Sequence, residues 1–309
     1  MHGKIIRGVG GFYYVHAADG EVYECRAKGI FRKEKVKPLV GDDVEISVLD
    51  AAGKTGNVDQ LLPRMNALIR PAAANVDQAM VVFAVTHPQP NLNLLDRFLI
   101  LMNRQNIPVI VCFNKTDLAA KEQTRTLEEI YRGCGCEVCF VSVEKEEGLL
   151  RVRSLLEGKT TVLAGPSGVG KSSLTNYFLP ERRMEVGEIS RKIDRGKHTT
   201  RHTELLVLRQ LETSAAPSYL LDTPGFSSLF LQDIEYEELK SYFYEFDSYE
   251  AECRFQGCMH LKEPDCAVKK AVESGEIHRA RYESYELLAS ELKNKRKKYT
   301  EHHKAGERK

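Results

Sequence analysis

The sequence predicts a multidomain chain with three parts in order: a small all-β barrel, an α/β domain on a parallel sheet, and a mainly helical C-terminal segment. Three observations carry this. Residues 1–65 hold short aromatic and β-branched runs broken by turn pairs. Residues 66–230 alternate continuous apolar runs with helix-length stretches, the pattern of a sheet covered on both faces. Residues 231–309 hold a cysteine–histidine cluster followed by charged helical sequence.

In the first part, residues 11–15, 22–26 and 44–48 are the clearest strands, and Asp19-Gly20 and Gly41-Asp42 supply turns. So short a segment buries enough surface only by curling closed, and the OB fold is the commonest such barrel that binds nucleic acid. Residues 63–75 hold two prolines and the run Ala72-Ala73-Ala74, and read as a connection. Strands follow at 78–85, 109–113, 138–143 and 161–164, alternating with helices at 92–104, 123–131 and 149–156. Residues 205–211 and 219–221 add strands. Between 232 and 252 eight acids oppose Lys240 alone and interleave with aromatic residues, which reads as an amphipathic helical connection with a solvated acidic face.

Composition narrows the classes. The 309 residues carry a net charge of +1, so nucleic-acid binding must come from local segregation of charge. The longest apolar runs, 80–85 and 107–113, fall far short of the ~20 residues of a membrane-spanning helix. The start shows no apolar signal segment, and eight cysteines are too sparse for a disulfide scaffold. A cytoplasmic monomer with reduced thiols and no membrane partner is expected.

Gly165, Pro166, Ser167, Gly168, Val169, Gly170, Lys171 and Ser172 fit G-x-x-x-x-G-K-[ST], and Ser173 follows. The run lies between a predicted strand and a predicted helix, as a phosphate loop requires. Backbone N–H groups would wrap the phosphates, Lys171 would reach the β/γ oxygens, and Ser172 would ligate Mg²⁺. Asn114, Lys115, Thr116 and Asp117 close the strand at 109–113. A carboxylate at Asp117 accepts two hydrogen bonds from guanine N1–H and N2–H₂, which adenine does not offer in that arrangement. Ser142 stands where a backbone N–H would support the guanine oxygen. Asp222, with Gly225 three residues on, would hold a Mg²⁺ water and a γ-phosphate N–H bond. Between them, Gly196, Lys197, His198, Thr199 and Thr200 form a polar stretch suited to a switch, with Thr199 or Thr200 on Mg²⁺.

The order matters more than any single motif. Base loop, its support, phosphate loop and switches run in a sequence rotated from that of an ordinary GTPase. Such a permutation is tolerated where chain termini lie close. It leads the second switch directly into the cysteine segment.

Cys253, Cys258, His260 and Cys266 supply three sulfurs and an imidazole, matching a closed, structural, tetrahedral Zn²⁺ site. Cys134, Cys136 and Cys139 lack a nearby histidine and read as packing thiols, a redox role being the alternative. Arg26, Lys28, Arg32, Lys33, Lys35 and Lys37 crowd one stretch with Phe31 among them, which reads as a phosphate-tracking loop with a stacking ring, or as a solvated hairpin. The basic tail from Lys293 is read equally as a solvated helix end or an RNA contact.

Together, the barrel with Val40-Gly41-Asp42, the permuted motif order and the C-terminal cluster resemble the circularly permuted, ribosome-small-subunit-dependent GTPase family of bacteria. The resemblance spans nearly the whole chain. It implies an OB domain at 1–65, a permuted GTPase domain at 66–230 and a zinc-binding helical domain at 231–309. It also implies Mg²⁺-dependent GTP hydrolysis stimulated by the small ribosomal subunit, in late maturation of that subunit, with its rRNA as partner. Phe226 follows Gly225 where many GTPases carry a water-orienting Gln, so slow turnover alone is expected. By resemblance, His198 is the candidate for that water, beside Lys171 as the catalytic cation. Two other readings stand: an RNA-binding assembly factor in which GTP only gates docking, and a P-loop ATPase or small-molecule kinase, against which Asn114 and Asp117 argue.

Overall fold

The structure, a computed structural model, describes residues 1–28, 31, 36–68, 72–180, 203–209, 216–223, 225–231 and 233–306, the last eleven of these (296–306) as backbone only. Five strands close a barrel: β1 (His2–Val9), β2 (Phe12–Ala17), β3 (Val22–Ala27), β4 (Asp43–Asp50) and β5 (Thr55–Leu61), in the order β1-β2-β3-β5-β4. Only β3 and β5 pair in parallel. Alternate residues point inward, and Ile5, Val15, Tyr23, Cys25, Val44, Ile46 and Val58 fill the interior. Phe31 joins them at 7% exposure. This corrects the expectation of a stacking ring there. Its N–H donates to Lys28 O and its carbonyl accepts from Val36 N–H, turning the ring into the barrel, where burial outweighs display.

The connection folds into a ribbon of β6 (Ala67–Leu68) and β7 (Ala73–Ala74). Gly41 approaches Ala74 so closely that a Cβ would sit 2.0 Å from its carbonyl oxygen. Asp42 alongside accepts from Arg64 Nε at 2.6 Å and from Leu39 N–H at 2.7 Å.

Strands β8 (Gln78–Ala84), β9 (Val109–Asn114), β10 (Glu137–Phe140), β11 (Thr160–Ala164), β12 (Leu205–Val207) and β13 (Tyr219–Asp222) form a sheet in the order β10-β9-β8-β11-β13-β12. Every residue of β8, β9 and β11 is buried, which explains their mostly apolar sequence. Edge strand β12 runs antiparallel to β13. Helices α1 (Leu92–Arg104), α2 (Lys121–Ile130), α3 (Leu149–Leu156) and α4 (Lys171–Phe178) connect strands. Asn91 caps α1 by accepting from Leu94 N–H at 3.0 Å.

The chain divides into two compact units, Met1–Val82 with Val141–Phe226, and Phe83–Phe140 with Ser227–Lys309. In the first, barrel and sheet are joined directly. Arg7 bridges Glu204 in antiparallel fashion, and His16 Nδ1 lies 2.9 Å from Tyr219 Oη. In the second, the acidic–aromatic stretch is not one amphipathic helix. It is two 3₁₀ turns, Tyr236–Tyr242 and Tyr244–Phe246, and a short helix α5 (Asp247–Glu250). Phe243 and Phe246 turn inward and stack, and the Glu245 side chain, only 8% exposed, pairs with Arg281 rather than facing solvent. Helices α6 (Ala267–Ser274) and α7 (Arg279–Gly306) follow. Arg281 of α7 is buried against two carboxylates, Asp96 of α1 and Glu245, and Tyr131 Oη donates to Asp96 at 3.1 Å. No helix of the described residues is long and apolar enough to cross a membrane.

Candidate nucleotide site and metal centre

In the first unit the phosphate loop leaves β11 and enters α4. Gly165 sits at φ 145°, and a Cβ there would lie 2.2 Å from Val82 O, so the loop packs on β8 as only glycine permits. Gly170, at φ 97°, caps α4, whose first residue is Lys171. The Lys171 ammonium donates to the carbonyls of Gly165 and Pro166 at 2.7 Å each. Burial lowers its pKa, against the pull of Asp222. Asp222, at the end of β13, is pushed up to about 6 by burial, against Lys171 and the Thr223 N–H. Its Oδ1 is buried without a hydrogen-bond partner. Thr223 locks the turn, its hydroxyl donating to Leu163 O at 2.8 Å. A Cβ on Gly225 would lie 3.2 Å from Ser167 N and 3.4 Å from Lys171 Nζ, so this turn rests on the phosphate loop.

The structure therefore brings Gly165, Pro166, Ser167, Lys171, Asp222 and Gly225 together, with Ser172 and Ser173 in the first turn of α4. A half-buried ammonium and an orphaned carboxylate oxygen at the start of a helix suit an anion carrying a divalent cation. Ser142 is buried after β10, its N–H donating to Glu147 O at 3.1 Å and its hydroxyl accepting from Lys145 N–H at 3.1 Å. His198, Thr199 and Thr200 lie outside the described residues, as do Gly196 and Lys197.

The base loop belongs to the second unit. Asn114 is buried at the end of β9, and its carbonyl accepts from Val85 N–H at 2.9 Å. Lys115 adopts φ 65° and donates to His87 O at 2.7 Å, which fixes its stem. Thr116 and Asp117, both half-buried, open a 3₁₀ turn that ends on the exposed Leu118. Sequence reasoning missed the backbone partners Val82 O, Leu163 O and His87 O. Carbonyl oxygens carry no residue signature, so no signal could have found them.

In the same unit Cys253, Cys258, His260 and Cys266 place one ligand atom each within 4.8 Å of all the others. Cys253 Sγ lies 3.8 Å from Cys266 Sγ, and His260 Nδ1 lies 3.6 and 3.4 Å from these sulfurs. An ion held tetrahedrally at about 2.3 Å from each sulfur sets the sulfurs roughly 3.8 Å apart, so the donors fit a metal ion. Burial lowers the His260 pKa, which favours the neutral ligand form. The loop is braced from below. Glu263 accepts N–H bonds from Met259, Leu261 and Lys262 at 3.1, 2.9 and 3.0 Å. Burial would raise that carboxyl, but its backbone bonds outweigh burial and hold it below the ordinary value. Tyr282 and Tyr285 of α7 donate to His260 O and Met259 O at 2.6 Å each.

Of the basic stretch, Arg26, Lys28 and Lys37 are exposed, and Arg32, Lys33 and Lys35 lie outside the described residues. Arg26 lies over the Phe12 ring at 4.8 Å, and Lys28 pairs with Asp59 at 2.9 Å.

A mostly parallel sheet, a lysine-bearing phosphate loop and a base-type loop that precedes it in the chain define a P-loop GTPase in circularly permuted order. The family described as RsgA GTPase matches residues 61–232, and the RsgA N-terminal domain matches residues 2–55. A curated relative from Agathobacter rectalis is 50% identical over 307 residues, covering 96% of this chain and 100% of its own. One from Alkaliphilus metalliredigens is 50% identical over 295 residues, covering 96% and 99%. Both are called small ribosomal subunit biogenesis GTPase RsgA. Among solved structures, YloQ, described as a circularly permuted GTPase, superposes with a TM-score of 0.72 at 40% identity over 95% of each chain. YjeQ from Thermotoga maritima gives 0.74 at 36% identity, over 94% of this chain and 98% of its own. The chain belongs to the RsgA GTPase family.

Proposed function

We propose that this chain hydrolyses Mg²⁺-bound GTP as a factor in late maturation of the small ribosomal subunit, with that subunit and its rRNA as partners and as the stimulus for hydrolysis. One observation carries the reading: half-identity to proteins called small ribosomal subunit biogenesis GTPase over 96% of the chain. The division into a barrel at 1–65, a GTPase domain at 66–230 and a zinc-holding segment at 231–309 is part of the same reading.

In this reading each residue has a task. Lys171, now donating to Gly165 and Pro166, turns to the β/γ phosphates when these replace the carbonyls. N–H groups of Ser167, Gly168, Val169, Gly170 and Ser172 wrap the phosphates. Ser172, Asp222 and Thr200, with Thr199 beside it, hold Mg²⁺, which when bound neutralises charge developing on the phosphoryl oxygens. Gly225 offers its N–H to the γ-phosphate. Asp117 reads guanine, Lys115 covers the purine, and Asn114, Thr116 and Ser142 frame it. Resemblance to the family gives His198 the attacking water, and Phe226 has no donor or acceptor with which to orient it. Cys253, Cys258, His260 and Cys266 hold one Zn²⁺ with every position protein-supplied, which makes it structural. Arg26, Lys28 and Lys37, with Arg32, Lys33 and Lys35, track RNA phosphates. The factor works as a cytoplasmic monomer.

The test is GTP hydrolysis with and without purified small subunits, at two salt concentrations because the RNA contribution is electrostatic. Stimulation that His198→Ala removes while GDP affinity stays is expected. A rate indifferent to the subunit contradicts the ribosomal part, and no hydrolysis at all contradicts the enzyme.

A further inference from the structure

The second unit holds four thiols that neither the nucleotide site nor the metal centre uses, and two of them, Cys134 and Cys136, stand as a pair. Cys134 and Cys136 stand between α2 and β10, separated by Gly135. Gly135 adopts φ 74°, and a Cβ there would lie 2.3 Å from the Tyr244 ring. The left-handed turn brings both thiols to one side, where they hydrogen-bond each other. A cavity of about 280 Å³ opens on both, lined also by Asn103, Tyr242 and Tyr244. Cys134 is buried and Cys136 half-buried.

We propose that Cys134 and Cys136 form a reversible dithiol–disulfide pair that reacts with small hydroperoxides entering this cavity. The two sulfurs have different surroundings. The Cys136 S–H donated to Cys134 holds the latter below the ordinary thiol value despite burial, and the buried Arg281 guanidinium adds to this against Glu245. Cys136 is raised by the same bond and keeps its proton. In such a pair one sulfur attacks and the other resolves, and the lowering of Cys134 favours it as the attacking one. Cys25 shows the contrast: burial pushes it up to about 11, and it has no thiol partner within the barrel core.

The chemistry balances. The Cys134 thiolate attacks one peroxide oxygen, breaking O–O and forming a sulfenic acid; the departing hydroxide takes a proton to become water. The Cys136 sulfur then attacks the Cys134 sulfur, forming S–S and expelling hydroxide, which takes the Cys136 proton. One hydroperoxide is reduced, two thiols are oxidised, and a small dithiol reverses the step. The reacting turn packs on Tyr244 and beside Glu245, so closing the bond is felt in the segment that Arg281 ties to α7.

The test uses the full, zinc-loaded protein treated with hydrogen peroxide, then alkylated, digested and weighed. The peptide carrying Cys134 and Cys136 should lose the mass of two hydrogens at least about tenfold faster than Cys25 becomes oxidised, with bound zinc unchanged. Dithiothreitol should restore it. In Cys136→Ser, Cys134 should gain one oxygen that a dimedone probe traps, and circular dichroism with zinc content should show that the variant is folded. The proposal is overturned if both thiols stay alkylatable while Cys253, Cys258 and Cys266 oxidise, if Cys134 pairs with Cys139 instead, or if folded Cys136→Ser gains no oxygen.

Discussion

Replacing Asp222 by Asn is expected to stabilise the nucleotide-free protein. The carboxyl lies at the end of β13 with a buried, partnerless Oδ1, and burial raises it from 3.8 to about 6. At about 1.4 kcal/mol per pH unit, that rise corresponds to about 3 kcal/mol, an upper bound that solvent exchange reduces. The sign follows from linkage. A raised carboxyl favours the protonated form in the fold, so its contribution is complete below 3.8 and is lost as the pH climbs through about 6. Asn carries no such dependence. Thermal unfolding of the two proteins, scanned at about pH 4 and about pH 8, should show Asp222→Asn melting several degrees higher at the upper pH and nearly level at the lower. Mg²⁺·GDP should close or invert the gap, because the wild-type carboxylate then gains a cation. Equal melting at both pH values would refute the reasoning. So would a variant that is less stable at about pH 8, because the ionised oxygen would then not be a burden.

Gly165→Ala must push its Cβ away from Val82 O and hold an alanine at φ 145°, at a cost of about 1–3 kcal/mol. It should lower urea stability and abolish GDP binding by titration; neither change would mean the loop does not need that approach. Arg281→Leu leaves Asp96 and Glu245 buried without their cation and should cost about 3–5 kcal/mol in chemical denaturation, part of it recovered by adding Asp96→Asn. On the proposed zinc reading, chelation should release one equivalent of metal and loosen the core around Tyr282 and Tyr285, whose hydroxyls are anchored on the ligand loop. The chain has no Trp, so near-ultraviolet circular dichroism reads the tyrosines without overlap from Trp, and an unchanged spectrum after metal loss would contradict this.

Much of the fold was legible because it rests on local signals. The helices at 92–104 and 149–156 follow from apolar periodicity, and each appears at those residues as α1 and α3. The sheet strands β8, β9 and β11 announce themselves as mostly apolar, non-alternating runs because both faces are covered. The metal-type cluster is legible because soft ligands crowd one short segment. What escaped depends on partners distant in the chain. Strand β5 offers only Val58 as a fully buried apolar side chain, and its pairing with β3 and β4 defines it. Phe31 looked exposed because its neighbours are charged, whereas its own backbone turns it inward. In the sequence Glu245 looks like one more solvated acid of the stretch. Its partner Arg281 lies 36 residues on, and Asp96 is 185 residues from that same arginine.

The measurement that bears most directly on the central reading compares GDP, ADP and xanthosine diphosphate on the wild type and on Asp117→Asn. The reading predicts that the wild type prefers GDP by at least about a hundredfold, since two charge-assisted hydrogen bonds at about 1.5–3 kcal/mol each are lost with the wrong base. Asp117→Asn should then favour xanthosine diphosphate, whose C2 carbonyl accepts from the new amide. A wild type indifferent to the base, or a variant that keeps its preference for GDP, would contradict it.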